Sequence, residues 1–326
     1  MPRILLAVLP FAAAWGASAP SVGQGTAPSL GLPVACTPGR DCFVQNYFDH
    51  DSGPAARDHR CGSMTYNGHD GIDIRLPTTA AQRRGVAVLA AAPGRVKAVR
   101  DGEVDRAVQS RAEVAGRECG NGVVLTHPGG WETQYCHMAR GSIAVRAGQT
   151  VAAGARLGAV GLSGWTQFPH AHMAVRQGAM TVDPFTGGAG ACGARGKPLW
   201  SPAVAGRLAY ASPQVINAGF TTGPVADAAI EAETLARPTR TAPLVAYVRA
   251  IGLNGGDRLS LRLTGPNGRE LARNEAPPLD RAKAQHHLFA GERPPGGAWP
   301  AGRYRLTYTV TRAGKVVLNH TAEIGL

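Results

Sequence analysis

Two short stretches of the sequence carry residue types that hold metal ions. GHDGID covers residues 68–73 and FPHAHM covers residues 168–173. His69 and Asp73 offer a nitrogen and an oxygen, and His170 and His172 offer two further nitrogens. Zinc takes such ligands in a tetrahedron, and a catalytic zinc keeps one position for water. Gly71 would let the chain turn tightly beneath the metal. IDI, after that glycine, reads as the start of a strand. HAHMAV reads as another, and on a strand residues i and i+2 share a face. His170 and His172 can therefore enter one pocket, one as ligand and the other working beside it. His137 closes the strand-like TQYCH and can reach the same place.

The elements that must position these residues read as all-β. VAVLAAAPGRVKAV gives two short strands joined at Pro93-Gly94. GNGVVLTHPGGWETQYCHM gives a hairpin with HPGG at its turn. SIAVRAGQTVAAGARLGAVG reads as strand, glycine turn and strand. HAHMAVRQGAMTVDPF gives a pair closed by Asp183-Pro184. Antiparallel pairing follows from such short connections. Beyond about Pro213 the texture changes. LVAYVRAIGLNGGDRLSLRL suggests two strands around NGGD, and GRYRLTYTVTRAGKVVLNHTAEI a pair around RAGK. Regular strands over roughly a hundred residues suggest a small β-sandwich, with an immunoglobulin-like form as one candidate. The expected division is a signal peptide over 1–22, a flexible Gly/Pro/Ser-rich leader over 23–35, a first domain over 36–205 and the sandwich over 213–326.

Composition sets the compartment. One Arg precedes an apolar run from Ile4 to Trp15, and small residues follow, which is a signal-peptide pattern. No later segment approaches ~18 uninterrupted apolar residues, so no transmembrane helix is expected. The six cysteines, Cys36, Cys42, Cys61, Cys119, Cys136 and Cys192, suit an exported chain with disulfides. Cys36 with Cys42, and Cys119 with Cys136, are plausible partners. A cysteine zinc site is disfavoured because no Cys-x-x-Cys occurs. The formal net charge of +12 suits an acidic partner such as nucleic acid, anionic lipid or cell wall. Export and disulfides oppose nucleic acid.

These motifs together resemble the lysostaphin-type (LytM-like) zinc endopeptidases, which cut peptide bonds of bacterial peptidoglycan. The resemblance runs from about Gly68 to Phe185. HDGID matches the family's His-x-x-x-Asp motif, and HAHM its His-x-His strand. GNGVVLTHPGGWETQYCHM matches its hairpin, and VRAGQTVAAGARLGAVG the segment that follows. The resemblance implies an antiparallel β-sheet peptidase domain with zinc on His69, Asp73 and His172. It implies His137 and His170 beside the attacking water, one assisting its deprotonation and both stabilising the oxyanion. It also implies a periplasmic or extracellular enzyme acting on peptidoglycan peptides. The sandwich would serve to position the enzyme, to bind wall or partner protein, or to cover the groove. A non-catalytic peptidoglycan-binding or amidase-activating relative is the alternative, and such relatives usually lose ligands that this chain keeps.

The chain departs from the family at an insertion, roughly 100–118, and at LSGWTQFPH before the His pair. Both bear on bond specificity. Other polar and aromatic residues are expected to be bland. His127 is read as solvated, His50 and His59 as members of an exposed loop, and His286 and His287 as surface. Trp131 and Trp165 could stack on substrate or pack beside the cleft. Tyr66 and Tyr135 are read as rim or core.

Overall fold

The computed structural model describes residues 26–188 and 190–326. The expected signal peptide lies outside them. Seventeen strands dominate the described residues, and the three α-helices there span only four to six residues each. No helix among the described residues is long and apolar enough to cross a membrane.

The first ten strands are β1 (Phe43–Asn46), β2 (Ile72–Arg75), β3 (Ala87–Leu89), β4 (Gly94–Arg100), β5 (Asn121–His127), β6 (Trp131–Met138), β7 (Thr150–Val151), β8 (Arg156–Ala159), β9 (His170–Gln177) and β10 (Met180–Val182). Eight of them form one antiparallel sheet in the order β1-β2-β9-β6-β5-β4-β7, with β10 also paired to β9. The expected hairpin is β5–β6, turned by Gly129 and Gly130 at φ of 76° and 74°. SIAV is not a strand. The SIAV stretch lies beside β8 through a bond from the Ala144 amide to the Leu157 carbonyl, and β8 pairs instead with β3. Beneath the sheet lies a core that includes Ile72, Ile74, Leu125, Tyr135, Ala171, Met173 and Val175. β2 and β9 are buried along most of their length, so the strands that carry the histidines are held from both faces.

The expectation of a flexible leader fails from Leu30 onward. Leu30 and Val34 are fully buried in that core. The Leu30 amide donates to the Leu199 carbonyl and the Ser201 amide donates to the Leu30 carbonyl, each at 2.8 Å. Glycine and proline content signals a loop only when no apolar side chain anchors it, and here two do. Leu30→Ala should cost about 2–4 kcal/mol, read as a lower denaturation midpoint with an unchanged slope. A cost within about 0.5 kcal/mol, the range of an ordinary surface change, would mean that the segment is not part of the fold.

The remaining strands are β11 (Gln214–Thr221), β12 (Leu244–Ile251), β13 (Arg258–Thr264), β14 (Glu270–Ala276), β15 (His286–Glu292), β16 (Arg303–Arg312) and β17 (Lys315–Gly325). They make two antiparallel sheets, β11-β12-β15 and β14-β13-β16-β17. The core between them holds aliphatic side chains such as Leu244, Val248, Leu261 and Leu306, together with Trp299, Tyr304 and Tyr308. β12 and β13 are consecutive but lie in different sheets, so NGGD is a crossover between layers rather than a hairpin. RAGK does turn a hairpin, β16–β17. A constant-type immunoglobulin sandwich splits four strands against three, with the fourth strand beside the fifth. Here β14 joins the other sheet. The Tyr304 hydroxyl, near the start of β16, donates back to the Pro300 carbonyl at 2.7 Å, as in the tyrosine corner of such sandwiches.

The sandwich is bound at the β1 edge of the first sheet. Phe43 of β1 packs with Ile216 and Ile251. Arg249 of β12 is fully buried and donates to Glu231, to Asn217 Oδ1 and to the Pro77 carbonyl. Glu231 lies in α3 (Asp227–Ala232) and also accepts from the Thr79 amide at 2.7 Å, where α1 (Thr79–Arg83) begins.

Candidate metal centre

β2 and β9 bring the two motifs together by register. Asp73 lies opposite His172, and Arg75 opposite His170. His69 stands four residues before Asp73 on the approach to β2. Gly71 is needed for room rather than for an unusual φ. A Cβ there would meet the Met173 carbonyl at 2.4 Å and the His172 ring at 2.8 Å. The glycine therefore lets the approach to β2 lie flat against β9.

Three atoms converge. His172 Nδ1 is 2.9 Å from Asp73 Oδ1, His69 Nε2 is 3.1 Å from Asp73 Oδ1, and His69 Nε2 is 3.1 Å from His172 Nδ1. All three residues are buried. Their outer atoms are tied away from the centre. His69 Nδ1 lies 2.6 Å from the Tyr47 carbonyl. A carbonyl only accepts, so Nδ1 carries the hydrogen and a neutral ring turns its Nε2 lone pair inward. Asn46 Nδ2 donates to Asp73 Oδ2 at 2.8 Å. His172 Nε2 is 3.2 Å from Asp70 Oδ1, which likewise leaves Nδ1 as a lone pair. Two lone pairs and a carboxylate oxygen thus face one another with no hydrogen between neutral rings. Such a cluster needs a cation. Without a metal a proton meets that need: burial acts to lower the His172 pKa, yet the hydrogen bonds to Asp70 and Asp73 outweigh it and push it up to about 9, and a metal ion would displace that proton from Nδ1. Burial acts to raise Asp73, but His69 and His170 hold it well below the ordinary carboxylate range. Ligands about 2.1 Å from a tetrahedral zinc stand roughly 3.4 Å apart, close to the spacing found, so the donor set fits zinc.

His170 and His137 flank this triad. His170 Nδ1 donates to the Phe168 carbonyl at 2.9 Å, and its Nε2 is 3.4 Å from Asp73 Oδ1. The His137 and His170 rings are 4.6 Å apart. His137 Nδ1 donates to the Ser163 carbonyl at 2.8 Å, leaving Nε2 as its base. Burial first, and then the charge of His170 and His172, hold His137 well below the usual imidazole range. A regular strand would send Cys136 and His137 to opposite faces. Both nevertheless line the same cleft. The β5–β6 register shifts there, and His137 takes φ 60°, the left-handed region that is uncommon for residues other than glycine. The His137 amide donates to the Cys119 carbonyl at 2.8 Å, and Cys119 is disulfide-bonded to Cys136. This bulge re-aims the imidazole.

The cleft, of about 330 Å³, is lined by His137 and His172 together with Tyr66, Asp70, Gln134, Trp165 and Arg176, and by Arg111 and Glu118 of the insertion. The two departures from the family pattern form one wall. The Arg106 and Val108 amides donate to the Leu162 and Thr166 carbonyls, and the Trp165 amide to that of Glu118. No residue of the sandwich lines the cleft, so the expectation that the sandwich covers it is set aside.

Other expectations are corrected. His127 is buried, bonded to the Pro93 carbonyl and to Thr133. Trp131 is core, so of the two tryptophans only Trp165 faces the cleft. The two tyrosines are as expected: Tyr135 is core, its hydroxyl accepting from the Ala91 amide, and Tyr66 is 47% exposed at the rim. The His50 side chain is buried against Asp183, and His59 is half-buried on Phe185. His286 and His287 are half-buried. The third disulfide, Cys61–Cys192, joins the expected Cys36–Cys42 and Cys119–Cys136. Asn46, Asp70, Ser163 and Arg176 are site residues that the sequence reading missed. Only Asp70, inside the first motif, carried a local signal.

Three solved structures are similar to part of the chain. The catalytic domain of the prophage-encoded M23 protein EnpA from Enterococcus faecalis is 24% identical over 49% of this chain and 95% of that one, with a TM-score of 0.32. The catalytic domain of the antimicrobial peptidase lysostaphin from Staphylococcus simulans is 19% identical over 43% and 85%, with a TM-score of 0.28. A zinc-containing peptidase from Vibrio cholerae is 23% identical over 42% and 38%, with a TM-score of 0.28. The model of peptidase family M23 matches residues 67–184. That stretch holds the converging triad and both flanking imidazoles, so the similarity to peptidase family M23 falls on the part of the chain that carries the site.

Proposed function

We propose that the protein is an exported zinc endopeptidase that hydrolyses stem or cross-link peptides of peptidoglycan. The observation that carries this reading is the convergence of His69 Nε2, Asp73 Oδ1 and His172 Nδ1 beside an open cleft. The chemistry a zinc ion would supply at this triad is Lewis acidity, toward the peptide carbonyl and toward water. The chain's own residues would do the rest. His137, held neutral and with Nε2 free, is built to take a proton from water and return it to the leaving amine. His170, fixed through Nδ1, would stabilise negative charge developing on the carbonyl oxygen when its Nε2 also carries a proton. Trp165 and Tyr66 would support a peptide along the cleft. Three disulfides support an oxidising compartment, periplasmic or extracellular. The sandwich leaves the cleft free, so its part would be attachment, to wall or to a partner protein.

Purified muropeptides incubated with the protein should be cleaved, and a chelator should stop the cleavage until zinc is restored. Zinc-loaded protein that leaves every muropeptide intact would refute the enzyme reading in favour of a non-catalytic peptidoglycan-binding relative.

A further inference from the structure

We infer that Asp70 is a positioning residue for His172, its carboxylate fixing the ring through Nε2 so that Nδ1 points at His69 and Asp73. This rests on the zinc reading proposed above. Each of the other two ligands has an outer anchor, the Tyr47 carbonyl for His69 and Asn46 for Asp73. Without Asp70, His172 would be the one member of the triad whose far side is unheld. Asp70 Oδ1 lies 3.2 Å from His172 Nε2. A carboxylate there orients the ring, selects the tautomer with Nδ1 free and makes that nitrogen a better ligand.

Asp70 is itself held. Its Oδ2 accepts from Arg176 Nη2 at 3.4 Å, and Arg176 Nη1 donates to Gln134 Oε1. Gln134 Nε2 lies 3.2 and 3.4 Å from the sulfurs of Cys119 and Cys136. The arrangement therefore runs from the disulfide at the cleft wall, through Gln134 and Arg176, to the carboxylate behind His172. An ordinary surface ion pair between Asp70 and Arg176 would be worth little. It would not explain why the carboxylate presents its other oxygen to a ring nitrogen. Tyr47 is buried and Asn46 half-buried, whereas the Asp70 side chain is 45% exposed at the cleft. It is the anchor that can be altered with least damage to the core.

The test compares wild type, Asp70→Ala and Asp70→Asn in zinc affinity, by competition with a chromophoric chelator and without substrate. The metal-free unfolding transition is measured for each. Asp70→Ala should bind zinc about 10–100-fold more weakly with an unchanged metal-free transition. Asp70→Asn keeps an acceptor oxygen in place and should lose less. Wild-type affinity in Asp70→Ala would overturn the inference. So would equal losses in both variants that track a fall in metal-free stability. Wild-type protein that binds no zinc would refute the metal site itself, an outcome distinct from either.

Discussion

His172→Ala is expected to lose both zinc and activity, whereas His170→Ala is expected to keep most of its zinc and lose activity alone. The two rings are two residues apart on β9 and share a face, so their separate roles come from where each ring nitrogen is committed. His172 turns Nδ1 into the triad, 2.9 Å from Asp73 Oδ1 and 3.1 Å from His69 Nε2. Its removal leaves two of three protein ligands in a buried site, and the loss should exceed the ~10–100-fold that an outer partner is worth. His170 commits Nδ1 to the Phe168 carbonyl and only borders Asp73, at 3.4 Å. Its removal takes away a group worth about 10²–10⁴-fold in proton transfer or charge stabilisation. Metal content after dialysis against zinc-free buffer, read beside muropeptide turnover, separates the two. Equal zinc loss in both variants would mean that His170 is a ligand, and the assignment would fall.

How much of this was legible in the sequence differs by residue, for physical reasons. The strand period put His170 and His172 on one face, and the fold agrees. Placing Asp73 and His69 against them needed the resemblance, because β2–β9 pairing joins residues about a hundred apart and nothing local announces it. His137 was legible as a residue within reach of the pocket, and only its role came with the resemblance. Its side chain faces the cleft only because of a bulge and a left-handed φ, supported by a carbonyl brought close by a disulfide partner 17 residues away. No alternation rule contains that. Asn46 lies 27 residues before Asp73 in a stretch with no motif, and was missed. His127 was misread because hairpin ends are usually exposed, and Trp131 was left open between stacking and packing. Here β6 is flanked by β5 and β9, and both residues are covered. Leu30 was misread because composition averages over a window, whereas burial is decided by single side chains.

Arg249→Ala should be strongly destabilising, by roughly 3–5 kcal/mol, and should leave zinc content and turnover per folded molecule unchanged. The guanidinium is fully buried and meets Glu231, Asn217 Oδ1 and the Pro77 carbonyl. Glu231 in turn accepts from the Thr79 amide, and its carbonyl from the Thr79 hydroxyl. One cation therefore ties a sandwich strand to α3, and through Glu231 to the first turn of α1 in the first domain. Deleting it leaves a carboxylate and a carbonyl short of a partner in a site with little water, which is what makes breaking a buried pair so costly. Glu231 is 24% exposed, so water can relieve part of the loss and the lower end of the range is favoured. Arg249→Ala combined with Glu231→Gln should then cost less than the sum of the two single changes. Additive losses would mean that the pair is not coupled. Unchanged turnover would fit a sandwich that braces the β1 edge of the sheet, since none of these residues lines the cleft. A fall in turnover per folded molecule in Arg249→Ala would require the sandwich to act on the site itself.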